Sequence, residues 1–261
     1  MAFNNFDLNK IQELVKSGKM SVNSILACEQ YGELSVLQLA IMNHDEKFID
    51  LLLQNNVNVN DSTKSLGTAL QLAVKQQNLD VVKKLVASGA EINLNQRDDP
   101  KTMLPLHLAV DCGTYDIAEF LVMSGAHVNA EVHAVTFNNV SYNLSTLNLA
   151  ISKKDIRLVK LLLDNKAIID GGSREVYSSL HLAARTNRVD ILQILEQYGA
   201  KFEVIKDQEY TLEFIAALRK DNVDILHVFS RNCDNILDIY DYHGDTVAHL
   251  AVQLCSCSIW P

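Results

Sequence analysis

The chain has 261 residues, 48% of them hydrophobic and 21% charged, which is enough apolar material for a core and too much for a disordered tail. A formal net charge of -9 argues against a nucleic-acid binder that relies on overall basicity. The sequence has no long apolar run and no charged start leading into one, so neither membrane insertion nor a signal peptide is expected.

Along the chain, Asp7 to Gly18 reads first, as a helix with Leu8, Ile11, Leu14 and Val15 in one stripe. A short motif of Leu, one residue, Leu and Ala then recurs. It appears as Leu37–Ala40, Leu70–Ala73, Leu106–Ala109, Leu147–Ala150 and Leu180–Ala183, with weaker copies at Phe214–Ala217 and Ala248–Ala251. The marker alanines 40, 73, 109, 150, 183, 217 and 251 are spaced 33, 36, 41, 33, 34 and 34 residues apart. After each marker comes a second amphipathic stretch, such as Leu79–Val86 or Ile156–Leu163, with apolar residues at helical spacing. A stop follows, as in Gly89-Ala90, Gly125-Ala126 and Gly199-Ala200, where glycine supplies the left-handed end of a helix. Each unit therefore reads as short helix, turn, longer helix, stop and extended loop. One unit cannot bury its own apolar face, whereas stacked neighbours can.

With these motifs in view, the sequence resembles the ankyrin-repeat family over nearly its whole length. The segments most similar to the family are Leu104-Pro105-Leu106-His107-Leu108-Ala109 and Asp241–Thr246 leading into His249-Leu250-Ala251. The resemblance implies an all-α solenoid of stacked antiparallel helix pairs with projecting hairpin-like loops. The boundaries expected are an N-terminal half-repeat cap at 1–29 and six repeats at 30–62, 63–98, 99–139, 140–172, 173–206 and 207–240. A partial last repeat and tail at 241–261 completes the chain. Two departures stand out: lengthening at Leu94–Lys101 and an insertion at Ala130–Asn143, both expected as loops on the binding face.

The resemblance further implies that His107, His181 and His249, which share one repeat position, hydrogen-bond neighbouring loops. Three equivalent histidines make no acid–base pair, and no nucleophile setting, phosphate loop or HExxH is present, so no enzyme is expected. The five cysteines (Cys28, Cys112, Cys233, Cys255 and Cys257) are odd in number and scattered, as befits reduced thiols in a cytoplasmic or nuclear protein. Cys255 and Cys257 with His243 and His249 are the one metal-like cluster. Their spacing is not that of a common zinc site, and no cofactor is expected. Asn60, Asn93 and Asn129 read as loop-capping residues that bond backbone groups. The family setting also admits hydroxylation at such asparagines.

In ankyrin proteins the concave groove and loop tips form the usual binding surface. Carrying that register over selects Lys64, Lys75, Lys101, Lys153, Arg174, Arg185, Arg219 and Lys220. The acidic residues at such positions are Asp111, Glu175, Glu209 and Asp245, and the tyrosines at or beside loop tips are Tyr31, Tyr142, Tyr177 and Tyr242. Tyrosine and arginine are frequent interface anchors. The function expected is therefore a protein-binding scaffold or adaptor, with an acidic or phosphorylated segment of a partner protein in the groove. Two alternatives stay open: a secreted microbial effector, or the ankyrin portion of a larger enzyme, channel or adaptor. The chain is expected to be monomeric, with its open C-terminal face as the route to association.

Overall fold

The computed structural model describes residues 7–28, 31–94, 103–137, 140–169, 179–200 and 249. They fall into two compact units, Met1–His127 and Val128–Pro261.

The first unit opens with α1 (Leu8–Lys16), whose N-terminus is capped by Asp7. A hairpin of β1 (Ile25–Cys28) and β2 (Gly32–Ser35) leads into the helix pair α2 (Val36–Met42) and α3 (Glu46–Gln54). The next hairpin, β3 (Ser62–Thr63) and β4 (Gly67–Thr68), precedes α4 (Ala69–Lys75) and α5 (Leu79–Ala87). The pair α6 (Pro105–Asp111) and α7 (Tyr115–Met123) completes the unit. The second unit begins with the hairpin β5 (Glu131–Phe137) and β6 (Val140–Ser145). The pairs α8 (Thr146–Ser152) with α9 (Ile156–Asp164) and α10 (Ser179–Arg185) with α11 (Val189–Gln197) follow. The insertion read as a loop at Ala130–Asn143 is thus mostly a β-hairpin.

The recurring Leu-x-Leu-Ala motif makes the first helix of every pair. It is seven residues long, and a left-handed residue two positions past its last residue ends it. Ser35 and Thr68 form full capping boxes with Gln38 and Gln71, and Ser145 caps α8. Pro105 instead occupies the first turn of α6, where its missing N–H costs nothing. The marker alanines 40, 73, 109, 150 and 183 are fully buried. A methyl group there lets neighbouring pairs close on one another, as α2, α4 and α6 do in the first unit and α8 and α10 in the second. The longer helices turn one stripe to the same core: Phe48, Ile49 and Leu52, then Val81, Val82 and Leu85. Each such side chain contributes roughly 1.5–3 kcal/mol on burial.

Both helices of a pair end the same way. The carbonyl of the marker alanine accepts a bond from the amide five residues on, at 3.1 Å from Asp45, 3.2 Å from Asn78 and 3.0 Å from Thr114. At the longer helices, Ala90 N–H bonds Leu85 O and Ala126 N–H bonds Leu121 O, both at 3.0 Å. Such closure needs a residue at positive φ. Gly89 (φ 90°) and Gly125 (φ 95°) supply it freely, while His44, Asn56, Gln77, Lys154, Lys166 and Asn187 adopt it despite a Cβ.

Candidate functional site

Two hydrogen-bonded seams tie consecutive repeats together. The first is buried. Gln38 lies at the middle of its Leu-x-Leu motif and is fully shielded from solvent. Its Oε1 accepts from Ser35 N–H at 2.9 Å, and its Nε2 donates to Gly67 O at 2.7 Å and to Thr63 Oγ1 at 3.2 Å. Gln71, one repeat on, accepts from Thr68 N–H at 2.8 Å and donates to Met103 O at 2.9 Å. In the second unit, Asn148 Oδ1 accepts from the Ser179 hydroxyl at 2.8 Å. Gly67 has φ 76°, and a Cβ added to it would collide with the Gln71 side-chain oxygen. His107 is buried at this same repeat position. The sequence reading picked out the histidines here and passed over Gln38, Gln71 and Asn148. Their shared place between two leucines was the available signal.

The second seam is exposed, and Asn60, Asn93 and Asn129 make the same pair of bonds in it. Asn60 Nδ2 donates to Gly89 O at 3.1 Å, and its Oδ1 accepts from Glu91 N–H at 2.8 Å. Asn93 does the same with Gly125 O and His127 N–H, at 3.0 and 2.8 Å. In the second unit Asn129 bonds Lys166 O and the Ile168 N–H, at 3.1 and 2.8 Å. Asn23 begins the series by accepting from Asn58 N–H at 2.7 Å. The loop-capping role expected for Asn60, Asn93 and Asn129 is what the structure shows.

The candidate contact residues distribute unevenly. Lys64 is exposed in the turn between β3 and β4, and Lys75 is exposed as the last residue of α4 in the same repeat. Among the described residues neither has an ion-pair partner. Asp111 is exposed at the position in the next repeat that Lys75 holds in its own, so basic charge is not continuous along that row. Tyr31 is half-buried in the β1–β2 turn, and its carbonyl accepts from the Ser65 hydroxyl. In the second unit Lys153 is exposed at the end of α8, Arg185 ends α10, and Tyr142 stands opposite Val135 in the β5–β6 ladder. Lys101, Arg174, Tyr177, Arg219, Lys220 and Tyr242 lie outside the described residues, as do Glu175, Glu209 and Asp245. Cys255, Cys257 and His243 lie outside them too. Among the described residues no group of His, Cys, Asp and Glu could hold a metal ion, and no helix is long and apolar enough to cross a membrane.

Two cations on or leading into the longer helices are, by contrast, engaged. Lys84 Nζ lies 2.7 Å from Asp50, and this hydrogen bond raises the lysine's pKa above its ordinary value. Arg188 grips Asp190 through two bonds of 2.9 and 2.7 Å and donates to Lys154 O at 2.8 Å. The Arg188 bond holds the Asp190 carboxyl below the usual aspartate range.

Comparison with known proteins follows the same lines. The family model described as ankyrin repeats in three copies matches residues 1–96 and 37–132. The probable 26S proteasome regulatory subunit p28 of Saccharomyces cerevisiae is 26% identical over 211 residues, covering 79% of this chain and 87% of that protein. Ankyrin repeat and SOCS box protein 11 of Mus musculus is 30% identical over 128 residues, covering 49% of this chain and 36% of that protein. The p105 subunit of nuclear factor NF-kappa-B from Gallus gallus is 25% identical over 189 residues, covering 70% of this chain and 18% of that protein. The matched part is thus 18% of p105 and 36% of the mouse protein. Among solved structures, the human ASB11 ankyrin repeat domain superposes with a TM-score of 0.64 at 21% identity, covering 87% of this chain and 99% of that one. At that identity the likeness is one of fold.

Proposed function

We propose, from the premise that this chain belongs to the ankyrin-repeat family, that it is a scaffold or adaptor whose hairpin tips and short-helix ends hold an acidic or phosphorylated segment of a partner protein. Ankyrin repeats are in general a protein-binding module. The observation that carries the finer reading is the pair Lys64 and Lys75. Both are exposed, both lack an ion-pair partner among the described residues, and both lie on the hairpin and short helix of one repeat. Lys84 and Arg188, elsewhere, already hold carboxylates. Exposed cations without an ion-pair partner are suited to carboxylate or phosphate groups. A cytoplasmic location and a binding rather than catalytic role accord with this reading.

The test is a lysate pull-down read by mass spectrometry, comparing wild type with a variant carrying Lys75→Glu, Arg185→Glu and Arg219→Glu. Rim charges are worth about 0.2–1 kcal/mol each, so the triple reversal should weaken a groove-bound partner roughly tenfold or more. Raising salt to about 0.5 M should have a similar effect. Retention of every partner by the variant would sink the charged-groove reading while leaving the scaffold role standing. A second reading, the ankyrin portion of a larger protein, draws support from the small fraction of p105 that this chain matches. Detection by antibody of a longer native product would favour it.

A further inference from the structure

Every short helix is followed by the same local plan: a cap residue, a residue at positive φ, the cap of the longer helix, and then the longer helix itself. The second and fifth residues of the longer helix fall between the buried positions of its stripe. Four outward positions therefore recur in each pair. After α8 all four are cations. Lys153 caps the short helix, Lys154 holds the positive φ, and Arg157 and Lys160 are the second and fifth residues of α9. All four are exposed. The same positions hold one lysine after α2 (Lys47) and one after α4 (Lys83), with Asp50 and Asp80 alongside. After α6 and α10 they hold no lysine or arginine, and Asp116, Glu119 and Asp190 stand there instead.

The repeats share a backbone plan but not this charge, so the cluster is not a demand of the fold. It works against the fold, since like charges one helical turn apart, as Arg157 and Lys160 are, repel each other. The carboxylates nearest in sequence are otherwise engaged. Asp155 caps α9 by accepting from the Arg157 and Leu158 amides, and Asp164 accepts from the Tyr198 hydroxyl. Lys154 and Lys160 have no ion-pair partner among the described residues.

We infer that the α8–α9 turn and the exposed face of α9 form a docking surface for a short acidic segment, rich in Asp and Glu, of another protein. Arg157 and Lys160 lie about 4.5 Å apart along the helix axis, and Lys153 and Lys154 extend the run ahead of it, so a few residues of partner span the cluster. Lysine and arginine meet carboxylates through charge-assisted hydrogen bonds. The charge of the whole chain selects a short partner over an extended one. A nucleic acid or an anionic membrane would also meet the remainder of a chain whose net charge is -9. A short segment stays within about one Debye length, roughly 8 Å, of the cations and meets the cluster alone. This surface uses different residues from Lys64 and Lys75, and it stands or falls separately from the reading of that pair.

The test is fluorescence anisotropy with the full chain and a labelled peptide of about twelve residues, about half of them glutamate, at about 50 mM salt. Saturable binding is expected, weakened about tenfold at about 300 mM salt. Lys154→Glu with Lys160→Glu should weaken it about tenfold or more. Lys10→Glu with Lys16→Glu, exposed on α1 and equal in its change of net charge, should weaken it less than about threefold. If circular dichroism shows the first variant unfolded, Lys154→Gln with Lys160→Gln is read in its place, Gln77 being the residue that holds the position of Lys154 in the first unit. Absence of binding at about 1 mM peptide overturns the inference. So do equal losses in the α9 and α1 variants, or tighter binding of an oligonucleotide or of phosphatidylserine vesicles than of the peptide. A loss confined to Lys64→Glu with Lys75→Glu also overturns it, while leaving the hairpin-tip reading in place.

Discussion

The buried seam and the exposed seam join the same repeats, yet they are built on opposite rules. At the exposed seam asparagine occurs every time and makes the same bonds, whether as Asn60, Asn93 or Asn129. At the buried seam the residue is Gln38, Gln71, His107 or Asn148; Gln38 and Gln71 each donate to the carbonyl just before the next short helix's N-cap residue, whereas Asn148 accepts from the Ser179 hydroxyl. The cause is what each seam must reach. An exposed asparagine bridges a carbonyl and an amide two residues apart just past a helix stop, a geometry the stop itself fixes. At the buried seam a glutamine side chain reaches the carbonyl ahead of the next cap, and the shorter Asn148 meets a hydroxyl instead. Constancy of target selects one residue type at the exposed seam, and at the buried seam the residue changes where its partner does.

Breaking the buried seam should have the largest effect. Gln38→Ala removes a capping box, opens a cavity and leaves Gly67 O and Ser35 N–H without their buried partner. We expect a loss of about 3 kcal/mol, measured by urea unfolding. A loss below about 1 kcal/mol would mean that water replaces the amide and that the seam is not dry. Next comes the spacing that both seams require. Ala73→Leu forces side-chain volume into a fully buried contact between α4 and its neighbours, at roughly 1–3 kcal/mol. Unchanged thermal stability would refute the close approach of the short helices.

Asn93→Ala tests the exposed seam. Two hydrogen bonds are lost, but water can replace them, so about 1 kcal/mol is expected. A cost as large as that of Gln38→Ala would erase the distinction between the seams. The smallest effect concerns Arg188, whose bond to Lys154 O is a further link within the second unit. The Asp190 carboxyl is held below its ordinary range, so its contribution is present above about pH 4 and disappears as pH falls through the depressed value. The difference in Tm between wild type and Asp190→Asn should therefore shrink as pH is lowered below about 4. A difference that stays constant in acid would show that the carboxylate charge is not what is lost.

Much of this architecture was legible in the chain. The marker alanines recur every 33 to 41 residues, and the glycines at 89, 125 and 199 each fall sixteen residues after one of them, because each repeat meets the same steric demand. Gln38, Gln71 and Asn148 were harder to see, since their shared feature is polarity and not identity. The β5–β6 hairpin was read as a loop although Val140–Ser145 alternates strictly between apolar and polar residues, the ordinary mark of a strand. In β5 the bulge breaks that alternation, so half of the signal is hidden. The candidate surface was legible only as positions. The register exposes Lys64 and Lys75, but no repeat encodes what should meet them, because a solenoid specifies shape and leaves its partner to a few surface side chains.

The six non-glycine residues at positive φ suggest where an engineer should begin. His44, Asn56, Gln77, Lys154, Lys166 and Asn187 hold a backbone geometry that glycine adopts without steric penalty. Lys166 takes part in the exposed seam only through its carbonyl, which a glycine would retain. Replacing such residues one at a time is a route to a hardier scaffold that keeps both the core and the candidate lysines as they are, and it treats the chain's local irregularity as unused reserve.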